Sequence, residues 1–240
     1  MRHIEDFVYL AYICEGGEKC ACFHVSSNSM AKVPDKVIFG INTLGNSIDY
    51  GFVRSVTDDN ELINLLCLRL KVFFIDQVQP LQNSRSAFPL TTMTCVGIET
   101  LGEIFVKENK DDTSFQFVEI IKKIHQTFGR KPNKKYEKKL KEIWFEKDLK
   151  NIDSFGKLTY RFFRNTMIHG YQGKGVFLSY EDTNNIEIDD EFAFVKINPD
   201  WFWNSFKDYY EKKFVQVEQA QANSMERQNC INYIKNFLLG

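Results

Sequence analysis

The chain has 240 residues, with 31 Lys+Arg against 32 Asp+Glu, 43% hydrophobic and 15% aromatic content, 13 Gly and 5 Pro. That excludes a disordered, collagen-like or low-complexity polypeptide. A net charge of −1 excludes a globally basic nucleic-acid binder but leaves room for a local basic patch.

Twenty-two Phe, ten Tyr and three Trp can fill a sizeable core. The length suits one large domain, or a main domain with a small appendage. At the N-terminus the apolar run Phe7–Cys14 is too short for a membrane span, and it lacks the basic flank and cleavage site of a signal peptide. Six cysteines are too few for a secreted disulfide scaffold. The expectation is a cytoplasmic protein with reduced thiols and no membrane partner.

Periodicity changes near residue 57. Before it, FVYLAYIC and KCACFHV flank Gly16-Gly17 and read as a hairpin, and KVIFGI (36–41) and YGFVRSV (50–56) read as two further short strands around the turn-rich Asn42–Asp49. After it, Asp58 and Glu61 form a capping pattern, and Leu62, Leu65, Leu66, Leu70 and Phe73 mark an amphipathic helix running towards Pro80. Thr91–Lys107, Phe115–Phe128 and Lys135–Lys150 give the next helical patterns. A fifth, capped by Asp153 or Ser154, ends near Gly170. GVFLSYED and IEIDDEFAFVKI predict a hairpin over 175–197, turning at Thr183-Asn184-Asn185. Asn198-Pro199-Asp200 opens a long C-terminal helix, with Asn as cap and Pro in the first turn. The expected fold is α+β: a mainly helical domain over 57–240 beside a small antiparallel β portion over 1–56.

Three groups of residues could carry chemistry. Cys20, Cys22 and His24 share one strand face, which superficially suits zinc. An even hairpin loop at Gly16-Gly17, however, puts Cys14 on the opposite face, so the thiols read as small core residues and no metal site is expected. Charge is also segregated. From Arg130 to Lys150 nine Lys/Arg accompany four Asp/Glu, and from Glu181 to Asp200 seven Asp/Glu accompany only Lys196. Pairs such as Lys138–Glu142 would make the basic run an ordinary solvated helix face, whereas a concentrated excess would make it a phosphate-attracting rim.

The third group is Tyr160-Arg161-Phe162-Phe163-Arg164-Asn165-Thr166-Met167-Ile168-His169-Gly170. On a helix Arg164 and His169 lie about 140° apart, with Arg161, Asn165 and Ile168 in the sector between them. Asn165 and His169 are i,i+4 neighbours, and Gly170 is placed to end the helix. His169 then sits in the last turn, where the helix dipole favours imidazolium.

This stretch resembles the signature of the HEPN superfamily, an Arg commonly followed by a polar residue, then His after four to six residues. Here Arg164-Asn165 and His169 carry the match, and the helical array from about residue 58 resembles the family more loosely. Some larger HEPN proteins, including those similar to the ApeA phage-defence group, also place a β-rich portion before the helices. Glu99, amid apolar residues of the second helix, is the one candidate for a further acidic motif.

The resemblance implies a metal-independent endoribonuclease that needs no cofactor. It would leave 2′,3′-cyclic phosphate and 5′-hydroxyl ends, in a toxin–antitoxin or phage-defence setting. His169 would move the 2′-hydroxyl or leaving-group proton, Arg164 would offset charge developing at phosphorus, and Asn165 would orient the histidine or hold the phosphate. Lys157, Tyr160, Arg161 and Tyr171 are the candidate RNA-binding residues. The implied partners are RNA, a second copy of the chain and an antitoxin protein. The other reading is a catalytically inactive HEPN-like module that binds nucleotide, RNA or a protein partner.

Overall fold

The structure is a computed structural model, and it describes residues 33–41, 45–106, 112–143, 152–161, 175–181 and 185–239. The expected N-terminal hairpin with Cys14, Cys20, Cys22 and His24, the end of the helix expected over Lys135–Lys150, and Arg164, Asn165, His169 and Tyr171 lie outside them. The fold is α+β and dominated by helix, which takes up 66% of the described residues, with a two-stranded antiparallel sheet and a separate small sheet. The chain forms two compact units. One holds the described residues up to Arg69 together with those from Cys230 onward, and the other is Leu70–Asn229.

In the first unit β1 (Ile38–Ile41) pairs antiparallel with β2 (Ser47–Asp49), Ile38 opposite Asp49 and Ile41 opposite Ser47. The expected strand over 50–56 is instead helix α1 (Tyr50–Ser55). Asp49 explains the correction, because its carboxylate accepts the Phe52 N–H at 2.8 Å and caps the helix that follows β2 directly. Aromatic and β-branched residues mimic a strand pattern there, and six residues are too few to display a helical period. Helix α2 (Asp59–Lys71) starts as expected at Asp58, whose carboxylate accepts the Asn60 N–H at 2.9 Å. Arg69 of α2 lies over the rings of Phe39 (4.8 Å) and Tyr50 (5.7 Å) and donates to the Phe39 carbonyl. Burial pulls its guanidinium below its usual pKa. Lys235 bonds Asp59 at 3.0 Å, tying the chain beyond Cys230 to the start of α2.

Helical structure after α2 does not run unbroken to Pro80. A π-helical turn (Val72–Asp76) intervenes before the short α3 (Gln79–Asn83), which has Pro80 in its first turn. Helix α4 (Ala87–Phe105) is the centre of the second unit and packs on α5 (Thr113–Ile124) and α8 (Pro199–Gln219). Two glycines allow these approaches. A Cβ on Gly97 would lie 2.4 Å from the Phe206 ring, and one on Gly102 3.0 Å from the Gln116 backbone. Helix α6 (Lys134–Ile143) is capped by Asn133, which accepts the Tyr136 N–H at 2.9 Å, and α7 (Phe155–Thr159) by Ser154, which accepts that of Lys157 at 3.2 Å. Asn198 caps α8 as expected, with the Trp201 N–H at 3.1 Å. This helix ends at Gln219, and a separate α9 (Met225–Tyr233) follows.

The second sheet comprises β3 (Val176–Leu178), β4 (Ile186–Asp189) and β5 (Phe194–Ile197) in the order β3-β5-β4. A hairpin is present in the expected region, but β4 and β5 form it, within 186–197. Its turn includes Ala193 in the left-handed region at φ 54°. Strand β3 is not the hairpin partner of that run. It joins β5 in parallel, with Val176 opposite Val195 and Leu178 opposite Ile197. Alternation along the sequence marks strands but does not specify which pair, so this parallel contact was hidden.

Candidate functional site

Helix α7 begins the stretch that leads into the Arg164–His169 motif. Phe155, Leu158 and Thr159 are buried, and the Thr159 hydroxyl donates to the Phe155 carbonyl at 2.8 Å. The Phe155 N–H donates to the Arg130 carbonyl at 3.0 Å, which fastens the start of the helix to the preceding segment. Gly156 permits close seating, since a Cβ there would lie 3.0 Å from the Phe128 carbonyl oxygen and 3.1 Å from Ile121. The backbone stays helical through Tyr160 (φ −57°, ψ −50°).

Of the expected RNA-binding residues, Lys157, Tyr160 and Arg161 fall on this stretch and all three are half-buried. Lys157 and Arg161 are i,i+4 neighbours. The Tyr160 ring packs 5.2 Å from that of Phe117 on α5, so its aromatic face serves the core at least in part. Glu99 is 9% exposed on α4, buried rather than solvated.

A basic groove of about 300 Å³ that the sequence reading did not single out lies in the same unit, lined by Lys123 of α5 and by Tyr209, Lys212, Lys213 and Gln216 of α8. The α8 residues follow an i, i+3, i+4, i+7 spacing, so they form one helix face. That spacing was the available signal. Lys123, which completes the groove, is about ninety residues distant and only the fold brings it there. The Lys213 ammonium sits 4.9 Å from the Phe105 ring centre and 3.8 Å from Glu226, while Lys123 and Lys212 are exposed. Burial pushes the Tyr209 hydroxyl up to about 12, so it remains a neutral hydrogen-bond donor near neutrality. No carboxylate lines the groove, which gives it the chemistry to attract a phosphate oxygen.

The oppositely charged runs come together where the Asn133 side-chain amide donates to Asp190 at 2.6 Å. Within the basic run Glu142 bonds Lys139 at 2.9 Å, at i,i+3 rather than to Lys138 at i,i+4. The Lys139 hydrogen bond and charge hold the Glu142 carboxyl below its usual pKa. Tyr136 is fully buried, and burial together with Asp190 and Asp189 pushes its hydroxyl well above the usual range. Among the described residues no helix is long and apolar enough to cross a membrane, and no three His, Cys, Asp or Glu gather as a metal-binding group.

Comparison of the chain with protein-family profiles, with curated proteins and with solved structures returns no match.

Proposed function

We propose that this chain is a metal-independent endoribonuclease of HEPN type, acting in the cytoplasm in a toxin or phage-defence setting. The observation that carries the reading is the sequence Arg164-Asn165…His169-Gly170. A guanidinium and an imidazole at that spacing can stabilise a phosphorane-like charge and transfer a proton near pH 7. A helix-dominated α+β fold supports it, as does the Ser154-capped, closely seated α7 immediately before the motif. The groove of Lys123, Lys212 and Lys213 adds a place for RNA phosphates. Two copies of the chain would form one composite cleft, and an antitoxin protein would restrain it.

The test is cleavage of defined RNA by the purified chain, with His169→Ala and Arg164→Ala each losing about a hundredfold or more in rate. Activity should persist in EDTA, because the proposed chemistry uses only side chains. Loss on chelation with recovery on a divalent ion would overturn the metal-independent reading. Intact RNA with folded wild type would favour the inactive binding module. Mixing the two single variants reads the composite site, since partial rescue in heterodimers requires Arg164 and His169 to come from different chains.

A further inference from the structure

Among the described residues β4 leaves one edge of its sheet open, and that edge borders a cleft. The order β3-β5-β4 puts β4 at the margin. Its register with β5 pairs Glu187 with Lys196 and Ile188 with Val195, and the Asn198 N–H donates to the Asn185 carbonyl at 3.0 Å. In an antiparallel ladder bonded pairs alternate with non-bonded ones. Residues 185, 187 and 189 therefore turn their backbone groups to β5, and Ile186 and Ile188 turn theirs outward. Two N–H donors and two C=O acceptors thus line the open edge, and among the described residues none of them has a backbone partner.

A cleft of about 420 Å³ lies along this edge. Ile186, Glu187, Ile188 and Asp190 all line it. Both faces of the pleat contribute, as expected when a strand presents its edge rather than a face. Phe155 contributes an apolar patch, and Thr127, Arg130, Lys131 and Asn133 contribute polar lining. The charges are unequally engaged. Glu187 lies 3.4 Å from Lys196, and Asp190 accepts from Asn133 at 2.6 Å. Arg130 and Lys131 are exposed, and neither enters an ion pair among the described residues. The Asn133 amide is neutral and leaves the Asp190 charge in place, so the lining without an ion pair is Arg130 and Lys131 against Asp190. The cleft therefore has unmet needs for a strand's hydrogen bonds and for one net negative charge.

We propose that the cleft between β4 and the Thr127–Asn133 segment docks an extended acidic segment of a partner protein, which adds to the sheet as a fourth strand. Backbone bonds to Ile186 and Ile188 would supply affinity, and a carboxylate side chain on the incoming strand would meet Arg130 and Lys131. Four residues of strand span about 13 Å, enough for the incoming segment to use both outward positions. An exposed edge is otherwise a template for unwanted pairing, so an edge this open suits a defined occupant. This proposal does not depend on RNA cleavage.

A fluorescein-labelled peptide, Thr-Val-Glu-Val-Glu-Val-Thr, titrated into the full chain by fluorescence anisotropy, tests it. Saturable binding is expected, together with downfield shifts of the Ile186 and Ile188 amide protons. The same peptide N-methylated at alternate amides should bind about tenfold or more weakly, and so should the version with Lys in place of Glu. Ile188→Pro removes an outward N–H without removing a bond to β5 and should weaken binding similarly. Arg130→Glu combined with Lys131→Glu should reverse the preference between the Glu and Lys peptides. If Ile188→Pro does not fold, the N-methylated peptide on the wild-type chain still decides the backbone claim. Equal binding of the N-methylated peptide, tighter binding of the Lys peptide, or no saturation up to millimolar peptide would overturn the proposal. An RNA oligonucleotide that displaces the peptide and is itself weakened by the double charge reversal would reassign the cleft to nucleic acid.

Discussion

Along α4 the buried positions cover a broad arc of about 220° around the axis, from Leu90, Thr91 and Thr94 through Gly97, Ile98 and Glu99 to Leu101 and Ile104, with Pro89 and Glu103 exposed on the remaining side. Helix α6, by contrast, hides Tyr136 and Leu140, an i,i+4 stripe, and leaves Lys134, Lys135 and Lys138 exposed. The threonine hydroxyls of α4 are satisfied within the helix. The Thr91, Thr94 and Thr100 hydroxyls donate to carbonyls four residues back, at 2.8, 2.8 and 3.0 Å. Helix α6 leaves most of its charges exposed, with Lys139 and Glu142 paired to each other. The contrast teaches that α4 is constrained by shape over more than half of its circumference, whereas α6 is held by two residues and is otherwise free to carry charge.

Substitutions can break that comparison. The largest effect should come from Gly97→Val in α4, whose Cβ would enter the space of the buried Phe206 ring. A loss of about 3 kcal/mol in urea unfolding is expected, with partial recovery when Phe206→Leu is added. In α6, Leu140→Ala should cost about 2 kcal/mol by the same measurement, since half of the anchoring stripe is removed.

Tyr136→Phe sharpens the contrast by sign. Among the described residues the buried Tyr136 hydroxyl has no hydrogen-bond partner, so its removal should leave stability unchanged or raise it by up to about 1 kcal/mol. The pH dependence follows from the raised folded pKa values of Tyr136 and Tyr209. Each favours the folded state fully below the unfolded tyrosine pKa of about 10 and loses that contribution as pH rises through the folded value. Tyr136→Phe and Tyr209→Phe should therefore each flatten the decline of the urea midpoint above about pH 10. The smallest effect belongs to exposed Lys135 of α6, where Lys135→Ala should stay within about 0.5 kcal/mol in the same urea assay.

The same two helices show what could be read in advance. The apolar spacing and caps of the long helices were legible because both are local, and Asp58, Ser154 and Asn198 cap where expected. Helix α1 was not, because the Asp49 cap acts over three residues whose neighbours have strand-like side chains. Gly97 and Gly102 carried no warning in sequence, since their purpose depends on Phe206 and Gln116 from other helices. The candidate site divides similarly. Lys157, Tyr160 and Arg161 follow from their place beside the motif, whereas the Lys123–Lys212–Lys213 groove needs two helices to meet. The open edge of β4 depends on the parallel pairing of β3 with β5, a contact no local pattern encodes.

The first unit draws on both sides of the second, since its residues up to Arg69 are completed by the segment from Cys230. During synthesis the ribosome must therefore add 176 residues after Asp59 before Lys235 is in the chain to reach it. At ordinary elongation rates that is a wait of roughly ten to thirty seconds. Over that interval Phe39, Tyr50 and Arg69 can associate locally, but the unit remains incomplete, while Leu70–Asn229 is a continuous stretch able to fold as it emerges. Chain order thus lets the inserted unit be complete before the unit that encloses it in sequence.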